Sequence, residues 1–394
     1  MNEKMGRKQL ILQTFSLLAG FMVWTLLAPL FPEIVKDIPE AADQRALIVA
    51  LPVILGSVLR IPFGILANKM GGRVVFLFSF IFLLIPVFYL SIATTPRNLM
   101  IAAVFLGIGG ATFSIGVTSL PKYYPKDKHG FVNGVYGMGN IGTAVTSFGA
   151  PALALSFGGW QAAVQTYLVV LACFAILQFI MGDRNERKVD LPLAKQFKEV
   201  TRDYKFYFFN LWYFITFGAF VAFGLFLPGF LTDEALFNLS TIDAGIRTAI
   251  FIVIATVLRP IGGLIGDRFN ALHALIITFI GLAVSGLLLA FTYNAIILFT
   301  IGCLLTAVCA GIGNGLVFKF VPTYFSKQAG ISNGFVAMMG GLGGFFPPIV
   351  IDQTYNLTGS YAIGFILLSL FCLISLFTMF HMNSNLKKNQ LASE

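Results

Sequence analysis

The chain has 394 residues, of which 57% are hydrophobic and only 11% charged. A water-soluble domain carries about 25% charged residues, so a soluble enzyme, a disordered chain and a secreted disulfide scaffold are excluded. The formal net charge of +9 would point to nucleic acid on a soluble chain; here it has first to be located.

The short basic start, with Lys4, Arg7 and Lys8, leads into a long apolar run that lacks a clear cleavage site. It reads as an uncleaved first span rather than a signal peptide. Runs of about 20 apolar residues, each able to cross the hydrocarbon as a helix, recur along the chain. They begin near Leu10, Ala46, Val74, Leu99, Gly130, Trp160, Phe206, Thr248, Leu272, Ala295, Gly330 and Tyr361. They do not alternate as the strands of a membrane barrel would. Twelve transmembrane helices are therefore expected, in an all-α membrane protein. The four cysteines lie inside apolar runs without a CxxC spacing, and read as buried small hydrophobes.

Lys and Arg concentrate on alternate connections: Lys69 and Arg73; Lys122, Lys126 and Lys128; a cluster from Arg184 to Lys205; then Arg268, Lys319, Lys327, Lys387 and Lys388. Only Lys36, Arg45, Arg97 and Arg247 fall on the opposite side. The positive-inside rule makes the basic side cytoplasmic, with both termini inside. Most of the positive excess is thus an orientation signal and no reason to invoke nucleic acid.

The longest polar stretch, 183–205, divides the chain into a six-helix half over 1–182 and another over 206–382, followed by a tail over 383–394. The halves resemble each other. Arg60-Ile-Pro-Phe-Gly64 is echoed by Arg259-Pro-Ile-Gly-Gly263, and Gly130…Asn133-Gly134 by Gly330…Asn333-Gly334. An even number of spans per half makes them parallel repeats about a pseudo-twofold axis along the membrane normal.

Arg60 and Arg259 sit well inside apolar spans, and no Asp or Glu lies deep in any span. Placing an Arg at the centre of a span costs about 2.5–3.5 kcal/mol or more. One reading is snorkelling toward the basic end. The other is an anion site: the repeat sets both arginines at one position, and guanidinium groups bind oxyanions bidentately. Tyr213 and Phe217 are four residues apart and share a helix face, and Phe113 is a large ring in a Gly-lined span; each ring could equally be lipid-facing bulk. Gly137-x-Gly139-x-x-Gly142 matches a dinucleotide fingerprint only literally, since no strand precedes it, and no phosphate-binding loop motif is present. Neither a nucleotide, a metal nor another cofactor is expected. Small residues at Gly130, Gly134, Gly139 and Gly142 let helices approach closely. Asn140 interrupts that surface, as an interhelical hydrogen bond or as a substrate contact.

Two resemblances follow. Gly64-x-Leu-Ala-Asn68-Lys69-x-Gly71-Gly72-Arg73, with its second-half copy Gly263-x-Ile-Gly-Asp267-Arg268, resembles the loop motif of the major facilitator superfamily, with Asn68 where Asp is usual. Phe113-Ser-Ile-Gly…Gly130-x3-Gly134…Gly139-Asn140-Ile-Gly142 and Gly311-Ile-Gly-Asn-Gly315…Gly330-x3-Gly334…Gly340-Gly-Leu-Gly-Gly344-Phe-Phe-Pro347 resemble the signatures of the nitrate/nitrite porter family within it. The resemblance implies a monomeric plasma-membrane transporter working by alternating access. It implies nitrate or nitrite contacts from Arg60, Arg259, Asn140 and Tyr213, with Phe113 and Phe217 as walls of a flat slot. Gly64, Asn68, Arg73, Asp267, Arg268, Gly130, Gly134, Gly139, Gly142, Gly330 and Gly334 would serve gating and packing. With no deep carboxylate to carry a proton, nitrate/nitrite exchange is favoured over proton symport. The alternatives are a porter for another small oxyanion or an organic anion, and a membrane anion sensor without net transport.

Overall fold

The computed structural model describes residues 3–189, 192–233 and 236–391. Asp190, Glu234, Glu394 and the end of the tail lie outside the described residues. Every regular element among the described residues is helical. In chain order they are α1 (Glu3–Trp24), α2 (Leu27–Asp37), α3 (Arg45–Val58), α4 (Arg60–Met70), α5 (Gly72–Ser91), α6 (Pro96–Ala111), α7 (Phe113–Ser119), α8 (His129–Gly137), α9 (Ile141–Phe157) and α10 (Trp160–Met181). They continue with α11 (Leu193–Arg202), α12 (Tyr204–Thr232), α13 (Thr241–Arg268), α14 (Ala271–Thr292), α15 (Ile296–Tyr324), α16 (Ala329–Thr358) and α17 (Ala362–Leu391).

Ten helices among the described residues are long and apolar enough to span a membrane, and α3 with α4 makes an eleventh that bends by 41°. The remaining expected span is α8 and α9, joined through a 3-10 turn at Met138–Asn140. The chain is thus a multi-pass membrane protein. Its outward faces carry large apolar side chains such as Phe78, Leu155, Phe291 and Phe377, all exposed. In water these would aggregate; in a bilayer they meet lipid. Three cysteines are buried as expected, whereas Cys173 is exposed on the outer side of α10.

Four spans of the first half are interrupted, which the pattern of apolar runs does not show. Two breaks have a proline four residues on. Pro29 withholds the N–H that would bond Thr25, where α1 ends, and Pro62 does so for Val58, where α3 ends. The α8 break follows Gly137 and contains Gly139, residues that weaken a helix interior. The break between α6 and α7 falls at Thr112, and Tyr136 braces it by donating to the Thr112 carbonyl at 2.8 Å and accepting from Gly116 N–H at 3.3 Å. Arg60, Phe113 and Asn140 each stand at one of these breaks.

The chain packs as two compact units. The first takes in α1–α7, the chain from Val135 to Met181, and residues 326–341 at the start of α16. Its core is built from Leu17, Phe21, Phe76, Phe80, Leu99 and Leu106, all with no exposed surface. Helices α3 and α6 touch backbone to backbone: a β-carbon on Gly56 would lie 2.8 Å from the Gly107 carbonyl oxygen. The second unit takes in Asp127–Gly134, α11–α15 and the chain from Leu342 onward. Its core is more aromatic, with Phe209 stacked on Phe320 at 5.5 Å and Phe230 on Phe299 at 4.8 Å. The polar connection does not hang free. Its first part docks on the first unit through Asp183, which accepts from Tyr123 at 2.8 Å, and Val189, whose N–H reaches the Asn68 carbonyl at 3.0 Å.

Candidate functional site

In the first unit Arg60 opens α4 directly after the bend and has no exposed surface. It does not snorkel. Its Nε donates to the Gly110 carbonyl at 3.2 Å and its Nη1 to the Ala337 carbonyl at 2.7 Å. The guanidinium carbon lies 5.4 Å from the centre of the Phe113 ring and 5.6 Å from that of Trp24. Ring faces carry partial negative charge, so both attract the cation. Phe113 is therefore a brace for the arginine. Asn140 is fully buried, and neither its amide oxygen nor its amide nitrogen has a hydrogen-bond partner. Its neighbours Gly139 and Gly142 pack on Leu17 and Leu18 of α1. Ser114, next to Phe113, also has a buried hydroxyl without a partner.

The second unit repeats the pattern with other parts. Arg259 is 2% exposed and its Nη2 donates to the Tyr213 hydroxyl at 3.1 Å. Its guanidinium carbon is 5.5 Å from the centre of Phe217. Tyr213 and Phe217 stack at 5.1 Å with 10° between ring planes, as their four-residue spacing predicts. Phe318 meets Tyr213 edge-on at 4.6 Å and locks the tyrosine in place. The Thr256 hydroxyl and both amide atoms of Asn314 are buried without partners. Each such group costs about 1–3 kcal/mol if nothing ever bonds it. Within each unit a planar cation and unused polar tips are held in apolar surroundings, and a guanidinium fork is chemically suited to an oxyanion.

The motif residues build a different kind of contact. Asp267, near the end of α13, accepts from Gly130 N–H at 3.1 Å, Phe131 N–H at 2.7 Å and Lys319 at 2.6 Å. A carboxylate there caps the free N–H groups opening α8 and complements the positive end of its dipole. Arg268 is exposed and does not join this cluster. In the first half Asn68 holds the repeat position, buried, with its amide nitrogen unpartnered. The carboxylate comes instead from Glu186, in the polar connection. It accepts from Gly72 N–H at 2.6 Å, Ser119 at 2.9 Å and Lys122 at 2.9 Å. Arg73 packs elsewhere, donating to the Phe179 carbonyl at 2.8 Å.

The small residues mark backbone contacts. A β-carbon on Gly64 would run into the Gly330 carbonyl, and one on Gly334 would lie 2.7 Å from Ile61 Cα. One on Gly130 would lie 2.5 Å from the Gly263 carbonyl oxygen, and one on Gly134 2.6 Å from both the Arg259 carbonyl oxygen and Pro260 Cα. The structure thus groups Arg60 with Phe113, and Arg259 with Tyr213 and Phe217. Sequence reading missed Trp24, Ser114, Thr256, Asn314, Lys319 and Glu186. Glu186 lies in a run with Arg184, Arg187 and Lys188, and nothing local says that it folds back into the first unit.

Comparison with known proteins fits this architecture. The family model described as Major Facilitator Superfamily matches residues 14–348 and 213–391. The chain is 56% identical over 387 residues to a protein of Staphylococcus epidermidis named probable nitrate transporter NarT, covering 98% of this chain and 99% of that one. It is 55% identical over 390 residues to the protein of the same name from Staphylococcus carnosus, covering 99% of each. Among solved structures, the human organic anion transporter MFSD10 superposes with a TM-score of 0.80 over 95% of this chain and 99% of its own, at 16% identity. The Escherichia coli fucose:proton symporter FucP does so with a TM-score of 0.70 over 93% and 98%, at 15% identity. Identities that low speak for the fold alone, and the fold is the twelve-helix one expected from the span pattern. The chain belongs to the major facilitator superfamily and, within it, to the same family as the staphylococcal NarT proteins.

Proposed function

We propose that the protein is a secondary transporter that carries nitrate and nitrite across the plasma membrane by alternating access, as a monomer with both termini in the cytoplasm. The observation that carries this reading is the pair of buried, ring-braced arginines, Arg60 and Arg259. Each guanidinium is a fork whose N–H groups match the oxygens of a flat oxyanion. Asn140 and Tyr213 add polar tips, and Phe113 and Phe217 exclude water, which strengthens the charge attraction. The names of the NarT relatives agree with nitrate as the anion.

Exchange of nitrate for nitrite is the favoured coupling. The sequence holds no carboxylate deep in a span, and a doubly positive site resists reorienting empty. The test is labelled-nitrate uptake by the purified protein in liposomes, with and without internal nitrite at a fixed pH gradient. Arg60→Lys and Arg259→Lys should each abolish most uptake, because an ammonium lacks the planar fork. Near-normal uptake by both variants would overturn the site. Uptake of an organic anion that nitrate fails to inhibit would move the reading to another substrate.

A further inference from the structure

Asn133 and Asn333 hold repeat positions, and each spends its amide nitrogen on a backbone carbonyl, of Phe318 at 3.0 Å and of Val117 at 2.9 Å. They tie helices together. Asn140 and Asn314 behave differently: among the described residues they are the two buried asparagines with neither amide atom partnered. One lies in each unit, and each unit also holds one buried arginine. Asn140 has a place in the nitrate reading above. Asn314 has none, and the residue 200 positions after Asn140 is Gly340.

The faces of α15 show where Asn314 points. Gly311 and Gly315 pack against α13: a β-carbon on either would strike the carbonyl of Ala255 or Arg259 respectively. Gly313 faces the other way, 2.6 Å from Thr216 Cγ2 by the same measure. Phe318 lies one turn beyond Asn314, on the same stripe of the helix, and its ring sits edge-on to Tyr213, the residue that accepts from Arg259. Asn314 is 1% exposed and lies on the helix between the Gly311 face on Ala255 of α13 and the Gly313 face on Thr216 of α12, beside the Phe318 stripe.

We infer that Asn314 is the second unit's amide contact to the transported oxyanion, donating through Nδ2 beside the Arg259 fork and helping to select the anion's shape. This rests on the nitrate reading and deepens it. An amide donor adds direction without adding charge, so it can separate oxyanions that two arginines alone would attract alike.

The test is nitrate saturation in liposomes for Asn314→Leu, which keeps most of the volume and removes both polar atoms. The expected result is a KM for nitrate raised about ten-fold or more, altered relative inhibition by nitrite and chlorate, and a melting temperature equal to or above that of the parent. A purely structural asparagine would leave KM and inhibition unchanged. Asn314→Asp, which sets a carboxylate beside Arg259, should be worse than Asn314→Leu. If the leucine disrupts folding, Asn314→Ala provides the same reading of KM. A KM within about two-fold of the parent in whichever of these variants folds, with Arg259→Lys inactive, overturns the assignment of Asn314 alone. Normal nitrate uptake by Arg259→Lys overturns the nitrate reading beneath it.

Discussion

Replacing Glu186 by Gln isolates what the polar connection contributes to the first unit. The carboxylate is 2% exposed and Lys122 12% exposed, at 2.9 Å. Its Oε2 also accepts from Gly72 N–H and Ser119. The glutamine can still accept, but the charge is gone. Removing one partner of a buried ion pair costs about 3–5 kcal/mol. Lys122 retains a weaker acceptor, the Ala67 carbonyl at 3.4 Å, and some exposure, which lowers the expected loss to about 2–3 kcal/mol. Thermal unfolding of the purified protein in detergent, at one fixed heating rate, should show a fall of about 2–4 °C. The double variant Glu186→Gln with Lys122→Met removes the stranded cation and should recover part of that fall. A single variant that melts with the parent, or a double variant that melts no higher than the single, would refute the argument that Glu186 provides the buried counter-charge of Lys122.

Tyr213→Phe keeps the ring on Phe217 and Phe318 but removes the acceptor of Arg259 Nη2. The KM for nitrate should rise about five- to ten-fold, with the maximal rate less affected; an unchanged saturation curve would refute a role for the Tyr213 hydroxyl in nitrate binding. Gly134→Ala puts a β-carbon 2.6 Å from the Arg259 carbonyl oxygen and Pro260 Cα, backbone atoms that cannot rotate away. Uptake should fall sharply, whereas Gly149→Ala, with nothing within 4 Å, should match the parent. Equal uptake by the two alanine variants would show that the close approach at Gly134 is dispensable.

The span pattern and the repeat are legible in the sequence because lipid leaves the backbone one solution: an apolar run of about 20 residues has to satisfy its own hydrogen bonds as a helix. Tyr213 and Phe217 were also legible as a pair, since four residues along a helix bring side chains together wherever that helix lies. The interruptions beside Arg60, Phe113 and Asn140 were harder to see. Pro62 is a visible cause for one, but Pro260 lies inside an α13 that runs on unbroken. A proline in the sequence therefore does not by itself say whether its helix breaks.

What the sequence by itself determined is the membrane class, the gathering of basic residues on alternate connections and the presence of two arginines deep in apolar spans. What only the tertiary structure decided is what those arginines and their neighbours touch. Arg60 bonds a carbonyl 50 residues away and another 277 away. The carboxylate missing at Asn68 comes from Glu186, and a second unpartnered amide waits at Asn314. These pairings join groups distant in the chain and rest on distances of a few ångström. Composition and local periodicity carry no record of which carbonyl or ring will arrive there, so they emerge only once the helices are packed.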